Sequence, residues 1–209
     1  ASSGTLQDSR NYNFCKQYPN GNFKPTGVIQ KYSDQIRLAA FGYLLDQTAS
    51  YDAGGRYGGV LRAPMKYVGS KTYSVTGQDN TPAGGNAKAE WNANTGVFYD
   101  NPDSNVSPAI SGVINYLNKF GRTGPSPGVY KKYDPVGELH YEALRYLQGL
   151  QPSADAISGT ITATMADGFP YFTTWTDPYG DGRSNTSDYS CVKSNIVVVG
   201  DINTHDGNR

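Results

Sequence analysis

The sequence lacks the features that mark membrane-spanning and nucleic-acid-binding proteins. Its 209 residues include 18 basic and 18 acidic side chains, so the formal net charge is zero. Such a chain offers no general attraction to nucleic acid or to an anionic membrane. No apolar run approaches the roughly 18 residues that a membrane span needs, and no secretory signal pattern is present. Since a mature exported protein has already lost its signal, that absence leaves the compartment open.

Histidine is scarce, which limits the chemistry that the chain can carry. The two histidines are His140 and His205, and neither lies beside an obvious nucleophile in the sequence. The motifs G-x-S-x-G, H-E-x-x-H and the P-loop are all absent. A structural zinc site is also disfavoured, because it needs a full set of cysteine and histidine ligands. The sequence therefore argues against an enzyme.

Cysteine is equally scarce, with Cys15 near one end of the chain and Cys191 near the other. A disulfide between them would close nearly the whole chain and would contribute up to about 5 kcal/mol in the chain-entropy model. The alternative is two unrelated buried thiols, or cysteines that pair with partners outside this chain. The residues alone leave both open.

What the sequence does contain is glycine, tyrosine and three candidate strands. The 25 glycines and 17 tyrosines are typical of exported surface proteins. Residues 36–44 alternate in a pattern that suits a strand covered on both sides, although periodicity alone also allows a helix. Residues 57–69 predict a second strand, in which Pro64 indicates an edge position or a bulge. The run of β-branched residues at 195–200 predicts a third strand, buried on both faces.

Two amphipathic helices are predicted in the second half of the chain. One covers 107–121, with Ser107 as N-cap, Pro108 in the first turn and Gly121 at the stop. The other covers 133–149, capped by Asp134. Their predicted buried faces are aliphatic, while the polar face of the second helix is expected to lie in solvent. The first helix is expected to bury Ile110, Val113, Ile114 and Leu117. The second is expected to bury Val136, Leu139, Ala143, Leu144 and Leu147. Its solvated face is expected to carry Glu138, Glu142 and Arg145.

Strands alternating with amphipathic helices predict an α/β layered domain. We expect an irregular N-terminal segment at 1–34 and one domain at 35–209. Two long inserted loops, rich in Gly, Asn and Tyr, interrupt that domain at 70–106 and 151–190. Loops of such length in a compact domain are usually functional or are packed by their own aromatic residues.

A polar cluster follows the strand predicted at 195–200. Asp201 stands directly at its carboxyl end, and Asn203, Thr204 and Asp206 come next. Oxygen ligands of this kind suit Ca²⁺ or Mg²⁺, and ligands in open α/β sheets bind outside the carboxyl ends of strands. The alternative chemistry is a metal-assisted hydrolase, in which the Asp201–Asp206 cluster and His205 supply the acid–base groups.

Five segments occur in an unusual combination and order, and together they span most of residues 11–209. They are GNFKPTGVIQKYSDQIRLAAFGYL, GGVLRAPMKYVG, SGVINYLNKFG, YDPVGELHYEALRYL and YSCVKSNIVVVGDINTHDG. The combination resembles the N-terminal region of the PilY/PilC family of type IV pilus tip proteins. That resemblance implies a divergent von Willebrand factor A-like sheet flanked by helices, and a chain that is a fragment of a longer protein.

The resemblance also implies a divalent-cation site at the carboxyl edge of the sheet. Asp201 matches the aspartate that follows a late strand of von Willebrand A domains, and Asp134 falls where the family places a threonine. The D-x-S-x-S loop that completes such a site is absent from this chain. We therefore expect an incomplete Ca²⁺ or Mg²⁺ site that binds its ion weakly or not at all in this chain alone.

Function and location follow from the same resemblance. It implies an exported, non-enzymatic protein at the bacterial cell surface, pilus tip or outer membrane. Its expected role is that of a tip adhesin or pilus biogenesis factor, with pilins, minor pilins and a host or surface receptor as partners. The exported context favours a disulfide between Cys15 and Cys191. A structural subunit of a filament is a further alternative.

Overall fold

Short strands and short helices build this chain, as its computed structural model shows. The structure describes residues 15–46, 59–74, 76–105, 107–132, 135–180 and 192–200. The chain divides into two units, of which unit 1 comprises Ala1–Leu38 and Lys66–Ser104 and unit 2 comprises Ala39–Met65 and Asn105–Arg209. The units interleave along the chain, whereas the sequence-based division places one boundary near residue 35; that division stays a prediction. In the described ranges, no helix is long and apolar enough to cross a membrane.

Unit 1 begins with a small hairpin. Strand β1 (Cys15–Gln17) pairs antiparallel with β2 (Phe23–Pro25), so that Cys15 lies opposite Pro25. The connecting turn contains Gly21 at a φ of 86°, a left-handed conformation that glycine adopts without steric cost. Helix α1 (Val28–Lys31) follows, and the Gln30 side chain accepts a hydrogen bond from the backbone N–H of Gly27 (2.7 Å).

A second two-stranded sheet pairs β3 (Leu38–Gly42) with β4 (Val60–Lys66). Both strands lie within the ranges predicted from the sequence, which confirms those two elements. Pro64 is tolerated in β4 because a two-stranded sheet leaves each strand with an open edge. Beyond β4, a single bridge joins Leu61 to Phe172, whose N–H donates to the Leu61 carbonyl (3.1 Å).

The first predicted helix is confirmed, but it begins later than the sequence suggests. Helix α2 covers Val113–Lys119, and Ser107 and Pro108 lie outside it. Gly112 adopts a φ of 96°, which is incompatible with a helical backbone, so the helix cannot extend back toward Pro108. Val113 and Ile114 are buried as predicted, whereas Leu117 is 58% exposed and Tyr116 is buried instead.

The second predicted helix is also confirmed, but its orientation is not. Helix α3 (Val136–Leu147) buries Glu138, Glu142 and Tyr146. The sequence assigned the two glutamates to solvent and Leu144 to the core, yet Leu144 is 40% exposed. The reason is that Glu142 accepts a hydrogen bond from the backbone N–H of Ser153 (3.1 Å), which satisfies one oxygen of a buried carboxylate.

An aromatic cluster forms a core of unit 2 around Tyr146. The rings of Phe41, Tyr146 and Trp175 contact one another edge to face, with centroids 5.5–5.6 Å apart. This is the favoured geometry for aromatic pairs. The Tyr146 hydroxyl accepts a hydrogen bond from the Met65 N–H (3.0 Å), and Leu61 is buried in the same cluster.

A buried arginine lies beside α2. The Arg62 guanidinium donates to the backbone carbonyls of Tyr43 (2.6 Å) and Ala166 (2.9 Å) and lies over the Tyr116 ring. Burial lowers the pKa of Arg62, and the nearby Tyr116 and Asp167 oppose that effect. Burial likewise raises the pKa of the Tyr116 phenol, so that its neutral form is favoured next to Arg62.

The side chain of Asp167 is hydrogen-bonded to the backbone just after α2. Two short helices, α4 (Ala154–Ile157) and α5 (Ala163–Ala166), lie in a stretch that the sequence assigned to loop. Asp167 follows α5 in a left-handed conformation with a φ of 53°. Its buried carboxylate accepts hydrogen bonds from the N–H groups of Gly121 (2.6 Å), Gly124 (3.0 Å) and Thr123 (3.2 Å).

Within this chain, the prediction of a buried strand at 195–200 is wrong. Residues 192–200 form no strand, and Val197 and Val199 are almost fully exposed. The pattern of β-branched residues reports a preference for extended backbone, but a buried strand also needs neighbours on both faces. The described part of the chain does not supply them.

Candidate contact surface

Most of the predicted site residues lie outside the described residues. This applies to both candidate metal ligands, Asp134 and Asp201, and to Cys191 and the polar cluster at 203–206 that includes His205. Cys15 is half-buried at the start of β1 and is a free thiol among the described residues. The disulfide and the Ca²⁺ or Mg²⁺ site therefore stay predictions. In the part of the chain that the structure describes, no group of three or more His, Cys, Asp and Glu side chains could hold a metal ion.

Tyr18 organises the surface of unit 1 that we consider the best functional candidate. Its buried ring packs against the backbone of Gly96, where a Cβ atom would collide with the ring. Gly96 also has a φ of 70°, so both space and backbone conformation favour glycine there. The Tyr18 hydroxyl accepts a hydrogen bond from the Gln30 amide (3.4 Å), and Lys16 lies 5.5 Å from the ring centroid. One side chain thus connects β1, α1 and the turn at 92–96.

An open groove lies along this tyrosine. Its volume is about 520 Å³, and its lining comprises Lys16, Gln17, Tyr18, Pro19, Gly21 and Ala93. The walls are held together by backbone hydrogen bonds, since the Tyr18 N–H donates to Asn22 (2.8 Å) and the Asn20 N–H donates to Asn94 (3.2 Å). The lining thus combines one cation, Lys16, with polar and aromatic groups that can contact a ligand.

Next to the groove, residues 91–99 form a bridge-closed turn that we call the aromatic hairpin. A bridge pairs Trp91 with Phe98, and the Asn92 side chain accepts hydrogen bonds from the N–H groups of Asn94 (2.9 Å) and Thr95 (3.0 Å). This local bonding fixes the turn without a regular strand. Trp91 faces inward, whereas the consecutive residues Val97, Phe98 and Tyr99 are each at least 40% exposed.

Buried charges support the base of the aromatic hairpin. The Lys66 ammonium lies 3.0 Å from Glu90 and 2.6 Å from Asp103, and Glu90 is almost fully buried. The Tyr99 N–H donates to the Glu90 carbonyl (2.9 Å), and the Glu90 N–H donates to Val68 (2.8 Å). Because both the side chain and the backbone of Glu90 are engaged, the base is held firmly. The segment that leaves the turn, residues 97–99, presents its apolar side chains to solvent above this base.

More apolar surface is exposed on the α1 side of unit 1. Val28, Tyr32 and Ile36 are all exposed, and Val28 is the first residue of α1. Scattered exposed apolar residues are normal in proteins, but groups of them mark sites of contact. The run at 97–99 lies inside the inserted loop predicted at 70–106, and the sequence analysis did not single it out. The signal that could have identified it is a Val-Phe-Tyr run directly after an Asn-Thr-Gly turn.

Comparison with protein families identifies the chain. Residues 41–208 match the family described as PilY1 homolog, second domain. The chain belongs to the PilY1 homolog family. The match includes the aromatic hairpin, while β1, β2 and α1 precede it. This confirms the family that the sequence resembled, and the von Willebrand A-like fold stays a prediction.

Two curated PilY1 homologs from Xylella fastidiosa (strain Temecula1 / ATCC 700964) are similar to the chain. Both are named type IV pilus biogenesis factor PilY1 homolog. One is 37% identical over 205 residues, which cover 91% of this chain and 15% of the relative. The other is 29% identical over 197 residues, which cover 90% of this chain and 13% of the relative. The chain thus spans less than a sixth of the length of these relatives. No solved structure matches it.

Proposed function

We propose that this chain is a contact module of a type IV pilus biogenesis factor, and that it acts by binding proteins or surfaces through unit 1. The observation that carries the proposal is the exposed Val97–Phe98–Tyr99 run on a firmly held turn beside the Tyr18 groove. The names of the PilY1 homologs support the pilus role. They also support a location at the cell surface or the pilus.

Physical chemistry favours binding over catalysis at this surface. Tyrosine and phenylalanine offer a large, rigid contact area that loses little conformational entropy on binding. The fixed base at Glu90 lowers the cost of association further, because the turn does not have to order itself when a partner arrives. The role as a tip adhesin, the partnership with pilins or a surface receptor, and the von Willebrand A-like sheet are parts of this proposal.

The test replaces the exposed run in the full-length protein. Val97, Phe98 and Tyr99 are changed together to Ser, and surface pili and attachment of the cells are measured separately. Loss of central aromatic contacts typically costs more than a factor of about ten in affinity. We therefore expect attachment, surface piliation or both to fall by at least that factor. Loss of attachment alone would assign the surface to adhesion, and loss of pili would assign it to biogenesis.

A matched control uses exposed side chains of unit 2. Leu117, Tyr141 and Leu144 are at least 40% exposed, and their joint replacement by Ser removes a comparable set of apolar groups. This control should leave both measurements unchanged. The two variants of the 209-residue chain should also unfold at temperatures close to that of the wild type. If the 97–99 variant is folded and both cellular measurements stay normal, the proposal is wrong.

A further inference from the structure

The segment Asn195–Gly200 has the composition of an interior β-strand but the surroundings of a surface loop. Val197 is 87% exposed and Val199 is 92% exposed, while Ile196 is half-buried and Val198 is exposed. Successive side chains of an extended segment point to opposite faces. In a strand conformation Val197 and Val199 would share one face, and both are open here. Ile196 and Val198 would share the other face, which is only partly covered.

The backbone of this segment is as open as its side chains. Within the described ranges, no backbone hydrogen bond involves residues 195–200. Just before the segment, the side chain of Ser194 contacts the Tyr179 hydroxyl. An apolar, β-branched segment whose backbone groups have no partner among the described residues can pair with the open edge of a sheet.

We propose that residues 195–200 add as a strand to the open edge of a sheet supplied by a part of the full-length protein outside these 209 residues. A second copy of the chain is a poorer partner, because two lone strands that pair would leave both of their faces in water. An existing sheet with packed faces would cover Val197 and Val199 on one side and complete the cover of Ile196 and Val198 on the other. The PilY1 homologs provide room for such a sheet, since the match covers only 13–15% of their length.

This inference is independent of the contact surface on unit 1. It concerns a different segment, and its test measures backbone protection rather than adhesion or piliation. The Ser replacements at 97–99 should not alter the backbone protection of residues 195–200.

Hydrogen exchange of the backbone amides at 196–200 tests the proposal directly. We expect the amides to exchange about a hundredfold or more slowly in the full-length protein than in the 209-residue chain, because pairing makes exchange depend on opening of the sheet. In the full-length protein, Val197→Asp and Val198→Asp should each remove that protection. Val97→Asp, at an exposed valine of unit 1, should leave it intact and controls for the added charge.

Three results would overturn the proposal. Fast exchange at 196–200 in both proteins would show that the segment is not a strand at all. Protection in the dilute 209-residue chain would place its partner within that chain. Protection that appears in the 209-residue chain only as its concentration rises would identify a second copy as the partner.

Discussion

Helix α2 buries Val113, Ile114 and Tyr116 together with one polar residue, Asn115. Helix α3 buries Glu138, Glu142 and Tyr146. Both helices are amphipathic, and both carry a stripe of aliphatic residues. In α2 part of that stripe is buried, while in α3 its members are at best half-buried.

The difference lies in what each helix meets. The residues buried in α3 are spaced four apart and so form one face of the helix. That face meets hydrogen-bond donors, since Glu142 accepts from the Ser153 N–H and Tyr146 accepts from the Met65 N–H. An aliphatic face in the same place would leave both donors without acceptors, at a cost of about 1–3 kcal/mol each where they are buried. Polar partners as well as apolar area therefore decide which face of a helix is buried.

The largest expected loss of stability follows from removing the aromatic ring on the buried face of α3. Tyr146→Ala should destabilise the chain by about 3–5 kcal/mol, because it removes a buried ring from a three-ring cluster. Denaturant unfolding of the purified chain measures this. Tyr146→Phe keeps the ring and loses only the acceptor for Met65, so it should cost about 1 kcal/mol. Equal losses for the two variants would mean that ring packing contributes little.

Charge reversal tests the polar part of the same face. Glu142→Arg should cost about 3 kcal/mol, because it removes the acceptor of the Ser153 N–H and places a larger, charged side chain at a fully buried position. His140→Arg, two residues away on the exposed side of α3, is the control and should stay within about 0.5 kcal/mol. If the two variants unfold at the same denaturant concentration, Glu142 lies in solvent as the sequence pattern suggested.

Asp167 offers a matching test at the end of α2. Asp167→Asn keeps a side chain that tolerates the left-handed backbone but weakens the hydrogen bonds from Gly121, Thr123 and Gly124, and should cost about 1.5 kcal/mol. The hydrogen-exchange rates of these three amides should rise more than that of the Ser153 amide. The Ser153 amide donates to Glu142 and therefore reports on α3. A uniform rise at all four sites would show that the two helices do not differ in how they are held.

The smallest expected effects concern the exposed leucines. Leu144→Ala in α3 and Leu117→Ala in α2 should each cost less than about 1 kcal/mol, since about half of each side chain already lies in water. Thermal or denaturant unfolding distinguishes this from the 2–5 kcal/mol typical of a fully buried leucine. A loss of about 2–5 kcal/mol for Leu144→Ala would show that the aliphatic face of α3 is buried. The two helices would then not differ in the kind of face that they bury.

The candidate site was less predictable than the elements around it. The sequence pointed to Asp201, Asp134 and the two cysteines, and only Cys15 of these lies among the described residues. The contact surface that the structure favours depends on Tyr18 meeting Gly96 across nearly eighty residues of chain. Neither residue belongs to a motif, so no local pattern connects them.

What the sequence determined by itself is the kind and approximate place of the longer elements. Strands β3 and β4 and helices α2 and α3 all lie inside the predicted ranges, because alternation and helical periodicity express local backbone preferences. The tertiary structure alone decided which face of α3 is buried, where α2 begins and that residues 195–200 stay exposed. These outcomes depend on partners far apart in the chain, such as Ser153 for Glu142 and Met65 for Tyr146. A buried polar group is stable only when such a partner is in place, and periodicity carries no record of that partner.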